Sequence, residues 1–217
     1  MEELDVLKRA WQKDEHAFDQ VSEVEIYKML HKKSSSIVKW IFIISILEFL
    51  FGLLLSVVLS FTKSDEKNID MIKDWGLYDY YITITFLIYA VVFYFIYKFY
   101  LMYRKISVVD STKLLAASII RTRKVVKQYI AFNLTTFALI FIIVGGFGFY
   151  HGYMHGAIDK GLVQTQMPVS VMLIAMLIII IVTIVLTLVF WLIYKLIYGI
   201  LLKRLHKNYE ELKKIDL

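Results

Sequence analysis

The chain has 217 residues, with 25 Lys and Arg against 19 Asp and Glu, a formal net charge of +6 and 59% apolar side chains, above the roughly 45–50% of a soluble domain. It has no cysteine, which excludes disulfides, thiolate metal sites and cysteine nucleophiles. The positive charges flank apolar runs and form no single basic face on a polar module, which argues against nucleic-acid binding.

Residues 2–15 read as a short amphipathic helix with Leu4, Leu7 and Trp11 on one side. No cleavable leader is visible, so the first apolar run is expected to act as an uncleaved anchor. Ser22 with Glu25 three residues later fits a capping box, so a second helix starts there and carries Ile26, Met29 and Leu30 toward the membrane. Two courses are open to it: an unbroken run into the first span, or a loosening at Ser34-Ser35-Ser36. The first span runs from about Trp40 to Phe61 and the second from about Tyr80 to Phe99, joined by an acidic loop over 62–79. After the second span, the segment from Lys98 to Lys127 holds eight Lys and Arg and one acid, Asp110. Asp110 or Ser111 is a plausible N-cap. Beyond it Leu115, Ile119, Thr122, Val126 and Tyr129 fall on one helix face. The third span runs from about Tyr129 to Tyr150, and the fourth from about Val169 to Tyr194. Each span has roughly the 20 residues that a 30 Å hydrocarbon layer needs. The tail from Leu201 to Leu217 is a further amphipathic candidate.

The expected fold is therefore all-α: a four-span transmembrane bundle with short cytoplasmic amphipathic helices. Its divisions fall at 1–36 (N-terminal helical segment), 37–103 (first transmembrane hairpin), 104–128 (basic helix), 129–200 (second hairpin) and 201–217 (tail). FYFIYKFY at Phe93–Tyr100 and FWLIYKLIY at Phe190–Tyr198 share Phe, Ile, Tyr and Lys at equal offsets, which hints at two tandem hairpins in parallel. Lys and Arg concentrate before the first span, between the second and third, and after the fourth. By the positive-inside rule both termini lie in the cytoplasm. Lys98 and Lys195 are placed to snorkel to that surface.

No catalytic or cofactor motif is present, so no cofactor is expected. Glu48 is the candidate intramembrane proton or cation site. It lies about eight residues into the first span, about 12 Å deep at helical rise and near the midplane. A charge there is costly, so the carboxyl is expected to hold a proton or to find a hydrogen-bonding partner. Ser45, Thr83, Thr85, Tyr89, Thr135, Thr136, Thr183 and Thr187 are the polar candidates. The bland alternative is an interhelical hydrogen bond. His151, His155 and Asp159 recur every four residues, which on a helix would line up weak metal ligands. The interleaved Gly148, Gly152 and Gly156 read instead as a solvated loop or as a close helix approach. Asn133 suggests an interhelical hydrogen bond.

The opening ELDVLKRAWQKDEHAFDQVSEVEIYKMLHKKSSSIVKWIFIISILEF resembles a group of uncharacterised inner-membrane proteins of flavobacteria and their relatives, clearly over about the first fifth of the chain and by layout beyond it. The resemblance implies a multi-pass protein of the bacterial inner membrane. Some members of that group carry a beta-carotene monooxygenase name. Carotenoid-cleaving oxygenases, as families, need several histidines converging on iron. Here His16, His31 and His206 fall on one side of the spans and His151 and His155 on the other, so they do not support that activity.

Two functional readings follow. One is a membrane anchor that positions a cytoplasmic helical layer for a signalling or regulatory protein partner, loosely like membrane-bound anti-sigma factors in layout. The other is a small proton-coupled transporter working through Glu48, loosely like small multidrug transporters and acting as a homo-oligomer. An enzyme acting on lipids or carotenoids stands third. In every case the lipid bilayer is the first partner.

Overall fold

The computed structural model describes residues 22–109, 111–159 and 167–215. The amphipathic helix read over residues 2–15, the Asp110 cap and the end of the tail lie outside them. The described residues form five helices: α1 (Glu23–Ser60), α2 (Lys63–Asp74), α3 (Tyr78–Ser107), α4 (Thr112–Asp159) and α5 (Val169–Ile215). Four of these, all but α2, are long and apolar enough to cross a membrane. The all-α bundle expected from the sequence is what the chain forms.

Local chemistry sets the helix ends. Ser22 caps α1 in a full capping box, its hydroxyl accepting from the Glu25 amide while the Glu25 carboxylate accepts from the Ser22 amide. The Ser111 carbonyl opens α4 by accepting from the Leu115 amide. At the other end of α3 the last carbonyls lack helical partners, and α1 supplies them. His31 Nε2–H donates to the Ile106 carbonyl at 2.7 Å, and the Tyr27 hydroxyl donates to the Val109 carbonyl at 2.8 Å.

Of the two courses open at Ser34-Ser35-Ser36, α1 takes the unbroken one. Ser34 is fully buried and accepts from Asn208 Nδ2 of α5 at 3.0 Å, so its hydroxyl is satisfied by a neighbouring helix and need not compete for its own backbone. The 62–79 connection is not a plain loop. It folds as α2 and closes with Gly76, whose φ of 67° is left-handed and suits glycine. Similarly α4 continues through the interleaved glycines to Asp159. Glycine's cost of about 1 kcal/mol per residue is a weak prior against an otherwise continuous hydrogen-bond ladder.

α1 packs mainly on α3, and α4 mainly on α5, giving two helical hairpins that meet along α1–α5 and α3–α4. Most buried residues follow one rule on the four long helices. The seam comprises Leu30, Ser34, Val38, Ile41 and Ser45 on α1; Val92, Phe95, Phe99, Met102 and Ile106 on α3; Leu115, Ile119, Thr122, Val126 and Tyr129 on α4; and Tyr198, Leu205, Asn208 and Leu212 on α5, with Ser118 and Val125 of α4 buried beside it and Ala175 and Thr183 of α5 buried nearer the other end. Steps of three, four or seven residues keep one face inward, as in the seam of a left-handed helical bundle. The seam lies at the end of the bundle where Lys and Arg concentrate, here called the basic end. Toward the far end the helices carry bare apolar flanks, with Leu54 62%, Val144 64% and Leu177 59% exposed. Such surface is stable against hydrocarbon and not against water. The helices cross the divisions at 36/37, 128/129 and 200/201 without a break.

Candidate functional site

Glu48 falls one turn beyond Ser45, on the same three-four stripe of α1 as Val38 and Ile41. The seam therefore turns its carboxylate into the bundle, half-buried. Tyr129 of α4 donates its hydroxyl to Oε2 at 2.9 Å, and Tyr198 of α5 donates to the same oxygen at 3.1 Å. Tyr194, one turn from Tyr198 on α5, donates to Oε1. Tyr129 and Tyr198 are both 1% exposed. Phe95 and Phe99 of α3 pack edge-on against the Tyr129 ring, and the Tyr198 ring closes from the other side. All four long helices thus meet around one carboxyl group.

The arrangement answers the burial problem without a cation. Among the described residues no Lys or Arg makes an ion pair with Glu48. Lys98 donates to the Tyr94 hydroxyl at 3.1 Å, and Lys195 lies 4.8 Å over the Trp191 ring. Three phenol hydrogens on two oxygens occupy three of the roughly four acceptor sites of a carboxylate.

The carboxylate is level with Tyr129 and Tyr198, at the ends of the apolar runs of α4 and α5, and not with the middle of those runs. Its partners are not the hydroxyl residues expected. Ser45, Thr83 and Thr183 bond back to carbonyls of their own helices, those of Phe42, Asp79 and Ile179. Thr187 Oγ1 is buried without a partner, and Tyr89 packs edge-on against Phe49. Sequence reading placed Tyr129 and Tyr194 at span ends and Tyr198 at the end of a repeated segment, and matched none of the three with Glu48. The signal that finds them is the seam: 194, 198, 201, 205, 208 and 212 on α5, and 115, 119, 122, 126 and 129 on α4, continue past the membrane edge in one register.

The other candidates are dispersed. His151 stacks on Trp75 with ring centroids 3.8 Å apart, tying the turn after α2 to α4. His155, one turn on, is exposed, and the Asp159 side chain lies outside the described residues. No group of three His, Cys, Asp or Glu among the described residues could hold a metal ion. Gly148, Gly152 and Gly156 face open space, whereas at Gly145 an added Cβ would lie 3.3 Å from Ile179. Asn133 bonds back to the Tyr129 carbonyl of its own helix at 3.0 Å, and among the described residues it makes no interhelical bond of the kind expected. In the two similar segments the Lys residues behave alike, each over an aromatic ring four residues earlier. The tyrosines differ: Tyr97 is 59% exposed, while Tyr194 reaches Glu48.

Residues 24–217 match the family described as Domain of unknown function (DUF8845), and the chain belongs to it. The match begins at α1 and takes in the whole described bundle. No curated protein and no solved structure matches the chain. With four long apolar helices in one bundle, it is an integral membrane protein.

Proposed function

We propose that the protein is a non-enzymatic anchor of the bacterial inner membrane that holds a helical head on the cytoplasmic face for a signalling or regulatory protein. The observation that carries this reading is where the core sits. The continuous seam lies at the basic end, extends beyond the apolar runs, and is clasped at its membrane edge by Glu48 and three tyrosines. The far halves offer lipid a bare apolar surface. The Lys and Arg distribution supports a cytoplasmic basic end with both termini there, and the flavobacterial resemblance of the opening residues supports the inner membrane.

A photo-crosslinking residue at exposed Lys124 or Lys207 of the full chain, expressed in its own cells, tests the proposal. The expected result is a discrete adduct with one other protein, absent when the probe replaces Tyr80 at the far end. Adducts of twice the chain's own mass would point to self-association instead, and no adduct at either position would refute the partner.

The transporter reading keeps one specific support, the carboxylate ringed by three phenol hydroxyls at the crossing of four helices. Here Glu48 would bind and release a proton. The Glu48→Gln variant separates the two. The anchor retains its function with a modest loss of stability, whereas a proton-coupled transporter loses transport.

A further inference from the structure

Between the last turns of α3 and the early turns of α4 lies an open cavity of about 530 Å³. Four cations line it: Lys98, Arg104 and Lys105 from α3, and Arg121 from α4, with no acidic side chain among the lining residues. None of the four makes an ion pair among the described residues. Among the described residues nothing pairs with them, and concave sites of one sign concentrate counter-ions. The floor is not polar: Met102 is buried there beside Thr122, whose hydroxyl is already spent on the Ser118 carbonyl.

The position of the charges selects the anion. Lys98 is level with the edge of the apolar run, held by Tyr94. Arg104 and Lys105 lie about 9–10 Å further along α3 at helical rise. The cavity thus leads from the hydrocarbon boundary into the headgroup zone, with cations along its walls and apolar surface beneath. Arg suits phosphate oxygens through its paired donors, and Lys suits them as a point charge. A free phosphate needs no apolar floor; a phospholipid brings glycerol and acyl methylenes that use one. Basic pockets between membrane helices are sites of this type.

We propose that this cleft binds the phosphodiester headgroup of an anionic phospholipid, with Arg104, Lys105 and Arg121 on the phosphate and Lys98 at the entrance. The inference needs the chain only to be membrane-embedded, so it stands or falls apart from the partner proposed for the head.

The test uses the full chain in nanodiscs of phosphatidylcholine alone or doped with phosphatidylglycerol, read by thermal unfolding and by lipid adducts in native mass spectrometry. Phosphatidylglycerol should raise the unfolding temperature and remain as an adduct, while inorganic phosphate should do neither. At the usual contribution of a basic residue near an anionic surface, Arg121→Gln should weaken retention about fivefold, and Arg104→Gln/Lys105→Gln/Arg121→Gln about a hundredfold. A control that removes equal charge from α5, Lys203→Gln/Lys207→Gln/Lys213→Gln, should retain the lipid. If the triple cleft variant unfolds in phosphatidylcholine, the single Arg121→Gln variant carries the comparison. Equal loss in the control, or stabilisation by inorganic phosphate alone, overturns the lipid site. So does an acidic protein that co-purifies through the same cations while phosphatidylglycerol has no effect.

Discussion

Replacing Glu48 by Leu strands three phenol hydroxyls at once. Two of them, on Tyr129 and Tyr198, are 1% exposed and have no access to water. Hydrogen bonds in membrane bundles average about 0.6 kcal/mol and reach about 1.7. A buried donor left unsatisfied costs about 1–3 kcal/mol. Three bonds with two fully buried donors place the loss near 3 kcal/mol, which for a chain of this length lowers the unfolding temperature by about 6–12 °C. Glu48→Gln should cost about 1 kcal/mol, because its carbonyl accepts from two phenols and its amide donates to the third. The stringent comparison is a cycle. In a Tyr129→Phe/Tyr194→Phe/Tyr198→Phe background, Glu48→Leu should cost under about 1 kcal/mol, since removing both sides of a hydrogen bond is nearly neutral. Equilibrium unfolding of the purified protein in mixed micelles measures all of these. The same cost for Glu48→Leu in both backgrounds would show that the tyrosines do not hold the carboxylate.

Further outcomes follow from other contacts. Asn208→Ala should cost about 1–2 kcal/mol by the same assay, and Ser34→Ala little more when added to it, because each serves mainly the other. Ser22→Ala should fray the first turn of α1, raising amide exchange there, at a cost of about 1 kcal/mol. Gly152→Ala should leave the unfolding temperature within about 2 °C of wild type or raise it slightly, while Gly145→Leu should lower it by forcing Ile179 off α4. The chain has no cysteine of its own, so single cysteines report sidedness directly. A membrane-impermeant thiol reagent applied to intact inner-membrane spheroplasts should label a cysteine at Tyr80 and spare cysteines at Lys113 and Lys207; the reverse pattern would overturn the proposed orientation.

Much of the architecture was legible in the chain because membranes impose blunt rules. Long apolar runs identify four helices, and Ser22 with Glu25 marks where α1 starts. The face carrying Leu115, Ile119, Thr122, Val126 and Tyr129 is the buried face of α4. The site was legible only in half. Glu48 announces itself by its charge, but its partners do not, because a tyrosine at a span end reads equally as a belt residue or a seam residue. Tyr97 and Tyr194, at equal offsets in similar segments, resolve oppositely. Register decides between them, and register is a property of the neighbouring helix. The helix over 63–74 was hidden because its residues are mostly charged or polar and sit between two long apolar runs, where they read as a connecting loop, and the His151–Trp75 stack because it joins residues 76 positions apart in sequence.

The continuity of α4 and α5 has a mechanical consequence. No hinge separates the part of each rod in lipid from the part beyond it. From Tyr198 to Ile215, α5 projects about 26 Å at helical rise. A molecule seated on that projection would be held at a set height and angle above the headgroups, with the α-helix acting as a ruler whose zero mark is the carboxylate at position 48.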